Sequence, residues 1–187
     1  MADQIDIVRH GATEWSESGQ HTSFTDLALL EKGRTQAAEV ADKLAGLEFS
    51  LVLCSPLRRA RETCELAGFG DRAELDDDLR EWNYGDYEGL TTSEIRERDP
   101  SWNLWSDGCP GGESPSEIGA RVDRVIERMH RADGHVLAFA HGHVLRVLTA
   151  RWLEMEVAAG ARFKLAAAGI GVLGYEHENQ VMETWSA

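Results

Sequence analysis

Positive charge is scarce in this sequence. Across 187 residues, 19 Lys and Arg stand against 33 Asp and Glu, a formal net charge of −14. A nucleic-acid surface needs basic residues to displace phosphate counterions, so nucleic acid is excluded as a partner. A small anionic ligand is not excluded, because a local Arg/His cluster focuses a positive field within an acidic surface. Cysteine is scarce too: Cys54, Cys64 and Cys109 are too few and unpatterned for a disulfide framework, which points to a reducing cytoplasm. No apolar run reaches the roughly 18–20 residues of a spanning helix, and Asp3, Gln4 and Asp6 interrupt the start where a signal peptide would be apolar. A membrane is therefore not an expected partner. The phosphate loop G-x-x-x-x-G-K-[ST] is absent. A Cys-x5-Arg nucleophile loop is absent as well, since the three cysteines meet Ala60, Gly70 and Pro115 at the arginine position. His141-Gly142-His143 has no Asp, Glu or His at ligand spacing beside it, so neither a metal nor any other cofactor is expected.

What is present reads as one domain over 1–187 without repeat or linker, with 42% hydrophobic residues, enough for a substantial core. Ile5 to Val8 is a buried strand. Ala37, Ala38, Val40, Ala41 and Leu44 recur at helical spacing within 31–46, after a polar loop over 12–30. Phe49 to Cys54 is a second strand, after which Ser55 as N-cap and Pro56 in the first turn predict a helix reaching Leu66. Residues 73–79 hold a short strand or its approach, with Glu74 to Asp78 a solvated acidic run. Segment 91–112, a short helix and a Pro/Gly loop, has the character of a cap. An amphipathic helix from about Glu113 to Arg131 carries Ile118, Val122, Val125, Ile126 and Met129 on one face. Val136 to Ala140 is a strand, and Val144 to Leu153 a helix starting at His143. Ile170 to Tyr175 and Val181 to Trp185 form a β-hairpin. Strands alternating with helices predict a three-layer α/β/α sandwich with a mostly parallel sheet, helices on both faces and this hairpin at its edge. That edge offers a route to a homodimer.

Two strands end alike, in Arg9-His10-Gly11 and in Ala140-His141-Gly142. Parallel strands point their carboxyl ends to one side, where open α/β sheets bind ligands. His10 and His141 can therefore converge although 131 residues separate them. His141 precedes a helix, whose free N–H groups and dipole favour an anion. Arg59, near the start of the helix after the second strand, reaches the same edge. Such a site can hold a phosphate and attack it; Glu81 would supply the proton a leaving oxygen needs.

Arg9-His10-Gly11, Ser55-Pro56-Leu57-Arg58-Arg59-Ala60-Arg61-Glu62-Thr63, Glu81 to Gly89 and Ala140-His141-Gly142 together resemble the histidine phosphatase superfamily, which includes the cofactor-dependent phosphoglycerate mutases. The resemblance spans about residues 5–150. It implies that His10 is the phosphoryl-accepting nucleophile. Arg9, Arg59 and His141 would form a cationic pocket, and Glu81 would be the general acid and then the base. The hydroxyls of Ser16, Thr22 and Ser23, the backbone N–H of Gly142, and His143 as a pocket wall would contact substrate. Thr92 stands where the mutases typically place a lysine, and Ser16 where they usually have Asn. This favours a phosphatase acting on small phosphorylated metabolites such as sugar phosphates or bisphosphates. A phosphoglycerate mutase and a non-catalytic phospho-ligand module are the alternatives. Trp15 and Trp82 would line the pocket. His21 lies in the substrate loop, and His130, His135 and His177 are read as solvated.

Overall fold

The computed structural model describes residues 2–186; Met1 and Ala187, the outermost positions of the expected domain, lie outside the described residues. Six strands form one sheet: β1 (Ala2–Arg9), β2 (Leu51–Cys54), β3 (Glu74–Leu75), β4 (Gly134–Ala140), β5 (Ile170–Glu176) and β6 (Asn179–Trp185). Their order is β3-β2-β4-β1-β5-β6. The β3-β2-β4-β1 part is parallel, and the C-terminal hairpin adds β5 and β6 antiparallel. Among the described residues seven α-helices accompany it: α1 (Glu14–Ser18), α2 (Glu31–Leu44), α3 (Arg58–Leu66), α4 (Thr92–Arg98), α5 (Leu104–Asp107), α6 (Pro115–Arg131) and α7 (Gly142–Trp152).

Successive side chains of a strand point to opposite faces, so a sheet covered on both sides needs nearly unbroken apolar strands. In β4, Val136, Ala138 and Ala140 join Ile5 and Ile7 in the core beneath α6 and α7. Leu137 and Phe139 join Val8 and Val52 against Val40 and Leu44 of α2 and Ala60 and Cys64 of α3. The expected sandwich follows from this two-sided burial. Trp82, expected at the pocket, is instead wholly buried in the α6/α7 core, where its indole N–H donates to the Glu113 carbonyl at 3.0 Å.

Several boundaries fall where caps dictate. Ser114 accepts from the Glu117 N–H while Glu117 reaches back to Ser114, with Pro115 at the first turn, so α6 begins at Pro115 rather than at Glu113. The 12–30 stretch contains α1, started by a reciprocal cap between Thr13 and Ser16. Ser55 does not cap α3. That helix begins three residues later with no side-chain cap from Leu57, and Asp26 accepts the Arg58 N–H at 2.7 Å instead. The acidic run is not simply solvated, because Arg124 pairs with Asp78 and Arg128 with Asp76 and Glu74. Nor are two of the histidines: His130 stacks on Trp152, and His135 bonds Asp6 at 3.0 Å.

Candidate active site

Parallel pairing of β1 with β4 puts Arg9 opposite Ala140. The two following residues are therefore neighbours: the His10 N–H donates to the Ala140 carbonyl at 3.0 Å, and the His10 and His141 rings lie 5.2 Å apart between centroids. Immediately after, the chain passes α2 at backbone distance. A Cβ on Gly11 would sit 2.3 Å from the Gly33 carbonyl oxygen, and one on Gly33 would sit 2.2 Å from that of Ala12. Only glycine fits such an approach. The Gly11 N–H donates to Thr63 Oγ1 at 3.1 Å, and that hydroxyl donates to the Arg59 carbonyl at 2.7 Å, tying the end of β1 to α3.

The hydrogen bonds fix the protons of both rings. A carbonyl only accepts, so the 2.7 Å contact from His10 Nδ1 to the Gly11 carbonyl places the proton on Nδ1 and leaves Nε2 with its lone pair. Burial holds the His10 pKa well below the ordinary imidazole value, with Arg59 and Arg9 adding repulsion. The neutral form therefore predominates at pH 7. His141 Nδ1 accepts from Arg59 Nε–H at 3.0 Å, so its own proton lies on Nε2, 2.7 Å from Ser55 Oγ. Burial and then Arg59 lower its pKa strongly as well. Thus Ser55, displaced from the expected cap, anchors His141.

Arg59 is 1% exposed. Its Nη1 donates to the Thr25 carbonyl at 3.1 Å and its Nη2 to those of Thr22 and Ser23 at 3.1 and 3.2 Å. Arg9 crosses the start of α7 closely: a Cβ on Gly142 would sit 3.3 Å from its Cζ and Nε, so the missing side chain leaves the guanidinium room. Arg9 Nη1 donates to the Leu165 carbonyl at 2.6 Å, while its buried Nε has no hydrogen-bond partner among the described residues. An orphaned buried donor of this kind awaits an acceptor.

Glu81 is held by three backbone donors, all at 2.9 Å: Trp82 and Val144 to Oε1 and His143 to Oε2. His143 and Val144 belong to the first turn of α7, whose N-cap, His141, supplies no side-chain bond. Glu81 therefore caps that helix. Tyr84 Oη lies 2.6 Å from His143 Nδ1, and His21 Nδ1 donates to the Leu90 carbonyl at 2.7 Å. The His21 and His143 rings stack at 6.2 Å, with Tyr84 edge-on to both.

These groups enclose a cavity of about 320 Å³. Of the residues expected from sequence, Arg9, His10, Ser16, Thr22, Glu81, Gly142 and His143 line it, together with His21 and Trp15. Arg59 and His141 stand behind its wall, in contact with each other. Ser23 does not reach it; its hydroxyl donates to Glu88. Tyr84, Arg146 and Lys164 line it without having been singled out. The spacing of Arg146 four residues after Gly142, one turn along α7, was a usable signal. Lys164 offered none, because an irregular segment delivers it.

Residues 5–187 match the family model of the histidine phosphatase superfamily (branch 1). The chain is 43% identical over 176 residues to an acid phosphatase of Mycobacterium tuberculosis, covering 91% of this chain and 86% of that one. It is 35% identical over 237 residues to a sedoheptulose 1,7-bisphosphatase of Saccharomyces cerevisiae, covering 92% and 88%. A solved open-reading-frame product of Mycobacterium tuberculosis superposes with a TM-score of 0.91 at 39% identity, covering 98% of this chain and 96% of that one. With its paired strand ends, its two buried histidines and this match over nearly its whole length, the chain belongs to the histidine phosphatase superfamily (branch 1).

Proposed function

We propose that this chain is a phosphoric monoester hydrolase that cleaves small phosphorylated metabolites, sugar phosphates or bisphosphates, through a phosphohistidine on His10. The observation that carries the reading is the His10 ring: its Nδ1–H is locked to a carbonyl, burial keeps it neutral, and it lines a cavity holding the unanswered Arg9 Nε–H. His10 Nε2 attacks phosphorus, and the phosphorus–oxygen bond to the leaving group breaks. Glu81, which takes up a proton from solvent as the anionic substrate enters, gives that proton to the departing alkoxide. The Glu81 carboxylate then takes a proton from water, the oxygen attacks phosphorus, and the phosphorus–nitrogen bond breaks to release phosphate. Arg9 stabilises the transferring phosphoryl directly, while Arg59 supplies charge from behind and orients the neutral His141 ring.

Two features support the substrate class. Arg146, held by the Gly160 and Ala161 carbonyls and the face of Trp105, shares the cavity with Lys164, so a second anionic group has cations to meet. Thr92, a neutral residue, lines the cavity where a mutase is expected to carry a lysine, which weakens retention of a phosphoglycerate and favours water as acceptor. Two relatives of this chain are an acid phosphatase and a sugar bisphosphatase. Segment 91–112, with α4 and α5, serves as the cap of a single catalytic domain. Three unbridged buried cysteines fit a cytoplasmic protein. The open edge of β6 is the route to a homodimer.

The test is incubation with sugar mono- and bisphosphates and 3-phosphoglycerate in EDTA, reading phosphate and isomer together. Phosphate release that survives EDTA and falls by about 10³-fold or more in His10→Ala is expected. Lys164→Ala should raise KM for a bisphosphate by about tenfold while leaving a monophosphate nearly unchanged. Isomer formation stimulated by 2,3-bisphosphoglycerate would establish a mutase, and absence of turnover would favour a binding module.

A further inference from the structure

Arg59, behind the cavity wall, leans on the turn over residues 22–25. Three carbonyls of that turn, those of Thr22, Ser23 and Thr25, accept from its Nη atoms and aim Nε at His141. Three carbonyls in four consecutive residues turned to one guanidinium is not a conformation these residues adopt unaided, since Ser and Thr compete for their own backbone groups. The donors of the turn face the other way. The Ser23 N–H donates to both oxygens of Glu88 at 2.9 Å, the Thr25 N–H donates to Oε1 at 3.0 Å, and the Ser23 hydroxyl donates to Oε2. Glu88 follows a 3-10 turn over Gly85–Tyr87, and its own segment is clipped to the same loop by Gly89 N–H to the His21 carbonyl and His21 N–H to the Leu90 carbonyl. The turn is thus threaded between a carboxylate and a guanidinium, its amides serving one and its carbonyls the other.

We propose that Glu88 is the positioning residue of Arg59: its carboxylate gathers the amides of the 22–25 turn so that the carbonyls cradle the guanidinium. Of the five guanidinium N–H groups, four are then engaged and one on Nη1 is left over. The Glu88 charge also attracts the Arg59 charge across the turn. Because Arg59 holds His141 and its charge helps keep His10 neutral, losing Glu88 acts on the chemical step and not on substrate capture. This rests on the phosphatase reading above for its consequence in turnover, and on the geometry alone for its consequence in Arg59.

The deciding experiment is a double-mutant cycle on a sugar phosphate with a measurement of Arg59 beside it. Glu88→Ala should lower kcat about 10–100-fold with KM within about threefold, whereas Glu88→Gln, whose amide oxygen still accepts from the turn, should stay within about fivefold of the parent. In an Arg59→Ala background, Glu88→Ala should cost less than about twofold, because the residue it serves is gone. Fully additive losses would overturn the proposal, as would a loss confined to KM. Independently of turnover, the Arg59 Nε–H resonance, assigned by its disappearance in Arg59→Lys, should lose its exchange protection in Glu88→Ala and keep it in Glu88→Gln. An unchanged resonance in Glu88→Ala overturns the proposal even if no substrate is turned over. A wild-type enzyme inactive on every substrate while that resonance responds to Glu88→Ala would instead sink the phosphatase reading and leave the positioning role standing.

Discussion

Glu81 carries two duties that one substitution separates. It is the proposed proton donor, and it is the acceptor for the first-turn amides of α7, a helix without another side-chain cap. Removing an N-terminal acceptor costs about 0.5–2 kcal/mol, and losing a carboxylate at a partly buried helix start costs about 0.3–2 kcal/mol more. Glu81→Ala should therefore destabilise the protein by about 2–3 kcal/mol, with water entering from the cavity limiting the loss. For a chain of this size each kcal/mol shifts Tm by about 2–4 °C, so a drop of about 4–12 °C is expected by calorimetry. Glu81→Gln keeps one oxygen on the helix start but loses the charge, and should cost about 1–2 kcal/mol. Its turnover is the second reading. An alkyl phosphate needs its leaving oxygen protonated, so Glu81→Gln should slow it by about 10²–10⁴-fold, while an aryl phosphate with a stable phenolate should lose less than about tenfold. Equal losses on both substrates would refute the acid role. A Glu81→Ala variant melting within about a degree of the parent would refute the capping argument instead.

Two more outcomes follow from burial and from close backbone approach. His10, His141 and His143 all have pKa values pushed well below the ordinary imidazole value, first by burial, so between those values and about pH 6.5 the unfolded chain binds more protons. Stability is then full above about pH 6.5 and falls as pH drops, by up to about 1.4 kcal/mol per pH unit for each ring. Urea midpoints between pH 7.5 and 5.5 should show that slope, made shallower in His143→Gln; a flat profile would sink the reading. Gly33→Ala would drive a Cβ to 2.2 Å from the Ala12 carbonyl oxygen, a backbone atom that cannot rotate away. Overpacking of this kind costs about 1–3 kcal/mol, more than the roughly 1 kcal/mol alanine gains in a helix. The expected result is a lower Tm with reduced kcat, through displacement of His10; a stabilised variant would mean that α2 slides freely.

How much was legible beforehand divides along physical lines. Strands buried on both faces must be apolar throughout, so β1, β2 and β4 stood out, and α6 showed its buried stripe at helical spacing. Helix starts with reciprocal caps were readable in principle at Thr91 and Ser114, because both partners lie within three residues. The start of α3 was not, since its capping group, Asp26, comes from a loop 32 residues away. Trp82, His130 and His135 were misplaced for the same reason: whether a ring meets water or Trp152, Asp6 or the core depends on which segment folds over it.

The sequence by itself determined the sheet, the helices that cover it, and the residue types gathered at the strand ends, because those rest on local periodicity and on fixed spacing. Arg9, His10 and His141 needed only the parallel order of two strands to be brought together. Tertiary structure alone decided which ring nitrogen is free, that Arg59 and His141 stand behind the cavity while Arg146 and Lys164 enter it, and that Glu81 and Glu88 are held by amides instead of cations. Those outcomes depend on directions and distances between segments far apart in the chain, and no local pattern encodes them.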